Sequence, residues 1–218
     1  MIKFQVIDDN SSDENLKKLK DLINTHGIDC EIINHDKSEH KEKIAAENNQ
    51  ETFGNLSSLL KCFEVAKKDQ SDLIYFVEDD YLHYEHSLVD MLNTYERVSS
   101  QHKDEIIVCP SDYPFNYMNN EKTNILIGSQ QHWRTITKML CTFMISKKMF
   151  QKHINNFEKT CEKRHEPFEK YLNKILESEI GISPIKSLAI HMTNVNSSYG
   201  LSPFIDIKKL WEENKIRQ

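Results

Sequence analysis

Leu73-Ile74-Tyr75-Phe76-Val77-Glu78-Asp79-Asp80 is the stretch on which the fold turns, because an unbroken apolar run meets three carboxylates at once. A short continuous apolar run has the pattern of a strand buried on both faces. Its carboxyl end then carries the acidic triplet, and in open α/β sheets ligands gather in the crevice outside the carboxyl ends of the strands. Closely spaced carboxylates at that edge suit a hard divalent cation that takes further oxygens from phosphate.

The pattern continues on both sides. Ile2 to Ile7 forms an expected strand, and Ser12 is placed to cap a helix bearing Leu16, Leu19, Leu22 and Ile23, which Gly27 closes before a second strand over Cys30 to Asn34. The polar segment His35 to Gln50 carries no clear periodicity, and a helix with Leu56, Leu59, Leu60, Phe63 and Val65 is expected to begin at Asn55 or Ser57. Beyond the triplet come a helix from Ser87 to Arg97, strands at Ile106 to Cys109 and Asn124 to Ile127, and the apolar run Met139 to Ile145. A helix capped by Ser146, another with Pro167 as its first residue and a last strand at Leu188 to His191 complete the series. Strands alternating with helices predict one layered α/β domain over residues 1–218, with a mostly parallel sheet flanked by helices.

Composition narrows the function. The net charge of -6, with lysines interleaved among acids, gives no basic face to neutralise a nucleic-acid backbone. Five cysteines, odd in number and without a CxxC pair, suit a reducing cytosol and not a structural zinc. No apolar stretch approaches the roughly 20 residues of a membrane span, and the start is too soon interrupted by Asp8 and Asp9 to be a signal peptide. Membrane contact would be at most peripheral, through a stripe of Ile205, Ile207, Leu210 and Trp211, for which packing on the protein's own core is the alternative. There is no GxxxxGK[ST] or GxGxxG loop to cradle a nucleotide and no GxSxG elbow.

Three segments in order resemble the GT-A fold glycosyltransferases, particularly bacterial polysaccharide and glycolipid enzymes of the family-2 type. Val6-Ile7-Asp8-Asp9-Asn10-Ser11-Ser12-Asp13 is similar to their hydrophobic run followed by DDxSxD, Phe53-Gly54-Asn55-Leu56 to their Asn-bearing helix start, and Glu78-Asp79-Asp80 to their DxD motif in its ExD form. The resemblance implies a Rossmann-like GT-A fold that uses Mn²⁺ or Mg²⁺ to move a sugar from a nucleotide-sugar donor to a glycan or lipid-linked acceptor, with inversion, in the cytoplasm or at the inner face of the membrane. It assigns the metal to Glu78 and Asp80, for which a solvated acidic turn before the helix at Ser87 is the alternative, with His191 as a third ligand or else a capped polar residue at a strand end, the donor base to Asp8 and Asp9, and donor contacts to Asn55 and to Asp79, which would orient the ribose or the loop. These enzymes usually have one more strand and helix before the DDxS segment.

The remaining candidates follow from the chemistry. An alcohol needs a general base to attack a sugar, and Glu166 is the first candidate, with Glu169 the second; the helix dipole is an alternative reason for Glu169. Trp133 and Arg134 pair an aromatic plate with a cation, suited to a sugar face and a phosphate, or else are core and surface partner. Asp112 follows a buried strand and is placed for donor or acceptor hydroxyls, or for an ordinary turn. Asn194 to Gly200 has the composition of a lid. His83 and His86 are expected on the loop and helix start behind the triplet. Two rival readings are a nucleotidyltransferase, which would normally carry a glycine-rich basic loop where Asp8 to Asp13 is acidic, and a catalytically silent glycan-binding or scaffold domain.

Overall fold

The computed structural model describes residues 2–44, 47, 49–118, 120–193, 195 and 205–215, and the chain divides into two compact units. The first comprises Met1–Asp69 with Asn155–Phe168, and the second Gln70–Ile154 with Glu169–Gln218. In chain order the elements are β1 (Phe4–Asp8), α1 (Asp13–His26), β2 (Cys30–Asn34), α2 (Gln50–Lys68), β3 (Leu73–Phe76), β4 (Tyr81–His83), α3 (Ser87–His102) and β5 (Ile106–Val108). There follow β6 (Ile125–Ile127), β7 (His132–Ile136), β8 (Phe143–Ser146), α4 (Lys147–Lys152), α5 (Ile154–Thr160), α6 (Lys170–Ile175), β9 (Ile180–Pro184), β10 (Ala189–His191) and α7 (Ile207–Asn214).

In the first unit β1 and β2 pair in parallel, Phe4 opposite Cys30 through Asp8 opposite Asn34, with α1 as the crossover. The caps are where the sequence puts them. Ser12 Oγ accepts the Asn15 N–H at 3.3 Å, and Gly27 closes the helix at φ 59°, a conformation that costs a Cβ-bearing residue energy. Helix α2 starts earlier than Asn55, because Asn49 accepts the Thr52 N–H at 3.0 Å and so supplies the cap. Its inner face buries Leu56, Leu60, Phe63 and Ala66, and Phe63 meets Phe157 edge-on with ring centroids 5.1 Å apart.

The second unit corrects the expected mostly parallel sheet. Its six strands run in the order β3-β8-β5-β9-β7-β6, and of the five adjacent pairs only β5 with β9 is parallel. The reason is physical: an apolar run reports burial, not direction. Strand β8 is buried at every residue and lies between β3 and β5, antiparallel to both, while β6 and β7 form a hairpin whose short connection permits only the antiparallel arrangement. The α/β class itself stands. A separate antiparallel pair joins β4 to β10, so His83 lies in a strand and not a loop. The strand over the 139–145 run begins only at Phe143, and the helix expected from Pro167 begins at Lys170.

Met91, Tyr95 and Val98 of α3 pack with Ile106, Val108, Trp133, Met144, Ile182 and Leu188 as the core of this unit. Trp133 is wholly buried, so it takes the core alternative and has no face to offer a ligand. A Cβ on Gly128 would stand 2.2 Å from the Trp133 indole and 2.8 Å from Thr94 Oγ. Gly128→Ala is therefore expected to cost about 2 kcal/mol through overpacking, measured by chemical denaturation. Leu210 anchors α7 as a buried residue while Trp211 stays exposed, and α7 packs on β4. No helix among the described residues is long and apolar enough to cross a membrane.

Candidate functional site

The acidic turn of the second unit joins β3 to β4. Val77 is exposed, so the chain leaves the sheet at Phe76 and the triplet follows outside its carboxyl edge. Glu78 is anchored by Thr142, just before β8: its N–H donates to Thr142 Oγ at 3.0 Å, and that hydroxyl lies 3.4 Å from Glu78 Oε2. Burial, then the neighbouring charge of Asp80, then that of Glu169, push the Glu78 carboxyl up to about 7. A carboxyl held there keeps its proton near neutrality unless a cation arrives.

Asp80 is held on the other side. Because β4 pairs with β10, Tyr81 lies opposite His191, and the two rings stack with centroids 4.9 Å apart. His191 Nε2 stands 2.8 Å from Asp80 Oδ2, the Thr193 hydroxyl donates to the same oxygen, and the Met192 N–H donates to the Asp80 carbonyl at 2.8 Å. His191 Nδ1 is buried with no partner among the described residues. Asp80 and His191, both assigned to a metal ion by the resemblance, are brought together here as a pair bonded to each other. Asp79 is exposed beside them. Among the described residues no group of three or more His, Cys, Asp or Glu side chains stands ready to hold a metal ion.

Behind the turn, the Tyr81 hydroxyl meets the Tyr113 hydroxyl at 2.5 Å, and Tyr113 is buried against Leu140 and Ala189. Asp112, also buried, receives the Tyr117 hydroxyl on Oδ2, and its N–H donates to Ser187 Oγ at 2.8 Å. Arg134 lies with its guanidinium carbon 4.1 Å from the Tyr117 ring centroid and Nη2 3.5 Å from Asp112 Oδ1. Burial raises the Asp112 carboxyl to about 6 despite Tyr117 and Arg134. Arg134 is therefore the partner of an inner acid, not a surface cation.

Of the two general-base candidates, Glu169 precedes α6 in the second unit and shares the electrostatic field of Glu78, whereas Glu166 is an exposed residue of the first unit. In the first unit Asp8 is buried and accepts the Ser11 N–H at 3.3 Å, and Asp9 Oδ2 pairs with Lys37 Nζ at 2.8 Å. Gly54 of α2 approaches this pair, since a Cβ there would come within 3.2 Å of Lys37 Nζ, while Asn55 faces solvent. Outside the carboxyl ends of β1 and β2 opens a pocket of about 440 Å³ lined by Asp9, Asn10, Asn34, His35, Asp36 and Lys37. The proposed lid over 194–200 lies outside the described residues except for Val195.

Sequence reasoning missed Thr142, Thr193, Tyr81, Tyr113 and Tyr117 as parts of this site. Each lies in or next to a strand or turn too short to be delimited from sequence. No family model matches the chain, and no curated protein matches it.

Proposed function

We propose that the protein is a metal-dependent glycosyltransferase of GT-A-like architecture that moves a sugar from a nucleotide-sugar donor to a glycan or lipid-linked acceptor. The observation that carries this reading is the acidic turn: two carboxylates fixed by separate partners, with Glu78 pushed up to about 7 by burial and by its acidic neighbours. Such repulsion is relieved by a cation, and Mg²⁺ or Mn²⁺ needs only one or two protein carboxylates when phosphate and water complete its oxygen shell. Glu78 and Asp80 would hold it, and His191 and Thr193 would orient the Asp80 carboxylate. A cation held there would supply Lewis-acid stabilisation of the negative charge on a departing diphosphate.

The chain's own groups supply the rest. Glu169, already close enough to act on Glu78, is the favoured general base for the acceptor hydroxyl, ahead of Glu166. Asp8 and Asp9 keep the base-recognition role that the resemblance implies: Asp8 ends β1 and Asp9 lines the pocket beyond that parallel pair, a position that favours it for Asp9. Five free cysteines support a reducing, cytoplasmic setting.

The test is a thermal-shift panel of nucleoside diphosphates and nucleotide sugars with and without Mn²⁺. Stabilisation is expected only when nucleotide and cation are both present. Stabilisation by glycans alone, indifferent to Mn²⁺, would favour a binding module instead.

A further inference from the structure

Strand β6 stands at one end of the six-stranded sheet and, among the described strands, pairs with β7 alone. In an antiparallel pair, residues whose N–H and C=O bond to the neighbour alternate with residues whose N–H and C=O point the other way. The Thr135 N–H donates to the Asn124 carbonyl at 3.0 Å and the Gly128 N–H to the Gln131 carbonyl at 2.9 Å, so Asn124, Leu126 and Gly128 are the residues that face β7. Ile125 and Ile127 therefore turn both backbone groups to the outer edge, where neither has a hydrogen-bond partner among the described residues.

The side chains of this edge are as bare as its backbone. Ile125 and Ile127 are 57% and 60% exposed and share one face of the sheet. Leu126, on the other face, packs against the core with Trp133 opposite it. Arg134 stands opposite Ile125 on the exposed face, and the Tyr117 ring stacked on it is itself half exposed, so the apolar surface continues beyond the strand. From Thr123 to Ser129 there is no charged residue and no proline, the residue types that blunt an open edge.

Parity and symmetry select the occupant. A strand that pairs here must set its own outward-facing residues against Ile125 and Ile127, at the same two-residue spacing. A second β6, antiparallel and related by a two-fold axis at Leu126, does so: Ile125 falls opposite Ile127 of the second copy, and Ile127 opposite its Ile125. Every outward N–H and C=O of these residues is then bonded, Leu126 meets its own counterpart across the axis, and the isoleucines of both copies join on one face. No like charges meet, since Lys122 falls opposite Gln130 and Glu121 opposite Gln131. An axis at Asn124 would keep the parity but set Glu121 against Ile127 and Lys122 against Leu126. We propose that the protein associates as a two-fold symmetric dimer through β6, with Leu126 at the axis, so that the two sheets continue into one another.

Two substitutions test the join without touching the proposed reaction. Ile125→Pro removes an outward donor and no bond to β7, and proline is accepted on an edge whose N–H faces solvent. Ile127→Lys sets a charge beside the axis at an exposed position. In sedimentation velocity over about 5 to 500 µM, the wild type is expected to pass from monomer to dimer with a dissociation constant on the order of 10–100 µM, in keeping with a small interface. Each variant is expected to weaken association by at least about tenfold, with an unchanged circular dichroism spectrum. Amide exchange reads the register: the Ile125 and Ile127 amides should gain protection as the dimer forms, whereas that of Leu126, already bonded to β7, is protected throughout. A wild type that stays monomeric over the whole range, its edge left to a strand of some other protein, would overturn the proposal. So would a dimer that either variant forms as readily, or one in which the Ile125 and Ile127 amides stay unprotected.

Discussion

Asp80→Asn is expected to lower turnover by about a thousandfold, about 4 kcal/mol of transition-state stabilisation, while leaving the protein folded. The amide keeps the size of the side chain and can still accept from Thr193, but it carries no charge to hold a divalent cation. The backbone around it is independently fixed, because the Met192 N–H bonds the Asp80 carbonyl and β4 pairs with β10 through Tyr81 and His191. Release of nucleoside diphosphate in the presence of Mn²⁺ and acceptor measures the loss, and the circular dichroism spectrum checks the fold. Wild-type turnover in the variant would remove Asp80 from the reaction.

Glu78→Gln is expected to raise stability above neutral pH. In the wild type the Glu78 carboxyl sits at about 7 instead of its ordinary 4.5, so between those values the folded protein holds a proton that the unfolded chain has lost. Stability contributed by this group is therefore present below about pH 4.5 and declines as pH rises through about 7. A shift of that size is worth at most about 3 kcal/mol. The glutamine removes the repulsion from Asp80 and Glu169 and retains a polar partner for Thr142. Without cation, the variant should unfold later than the wild type at about pH 8 and at the same point near pH 4, with a difference of about 2 kcal/mol at the higher pH. It should also lose transfer activity. Equal stabilities at both pH values would mean that Glu78 is not under the strain assigned to it. Such opposition between stability and activity is common at sites built to receive a ligand.

The elements with strong local signals were legible in the sequence. Ser12, Gly27 and Ser146 act as the caps their residue types announce, because capping is a contact between near neighbours. The acidic triplet stands after its strand for the same reason. Strand direction was not legible: Phe143 to Ser146 and Ile106 to Val108 are equally apolar, yet one runs against its neighbours and the other pairs in parallel with β9. Tyr81 to His83 is too short for a periodic signal, although it is the strand that carries His191 to Asp80. The same limit applies to His35, Ser57 and His40, which are buried and joined by hydrogen bonds at Ser57 Oγ. Such a polar chain depends on partners distant in sequence, and polar residues in the 35–50 segment give no hint that two of them lie in the interior. Trp133 beside Arg134 has the composition of a ligand platform, but its place in β7 turns the indole into the core.

In the proposed reaction Asp80 and Glu78 secure a cation which in turn secures a diphosphate. The most direct measurement is the thermal shift given by a nucleoside diphosphate with Mn²⁺, recorded in parallel on the wild type and Asp80→Asn. The wild type should be stabilised only by nucleotide and Mn²⁺ together, by about 3 kcal/mol at a hundredfold excess over the dissociation constant, and the variant should show no such gain under the same conditions. Equal stabilisation of both proteins, or a full nucleotide shift in the wild type without Mn²⁺, would contradict it.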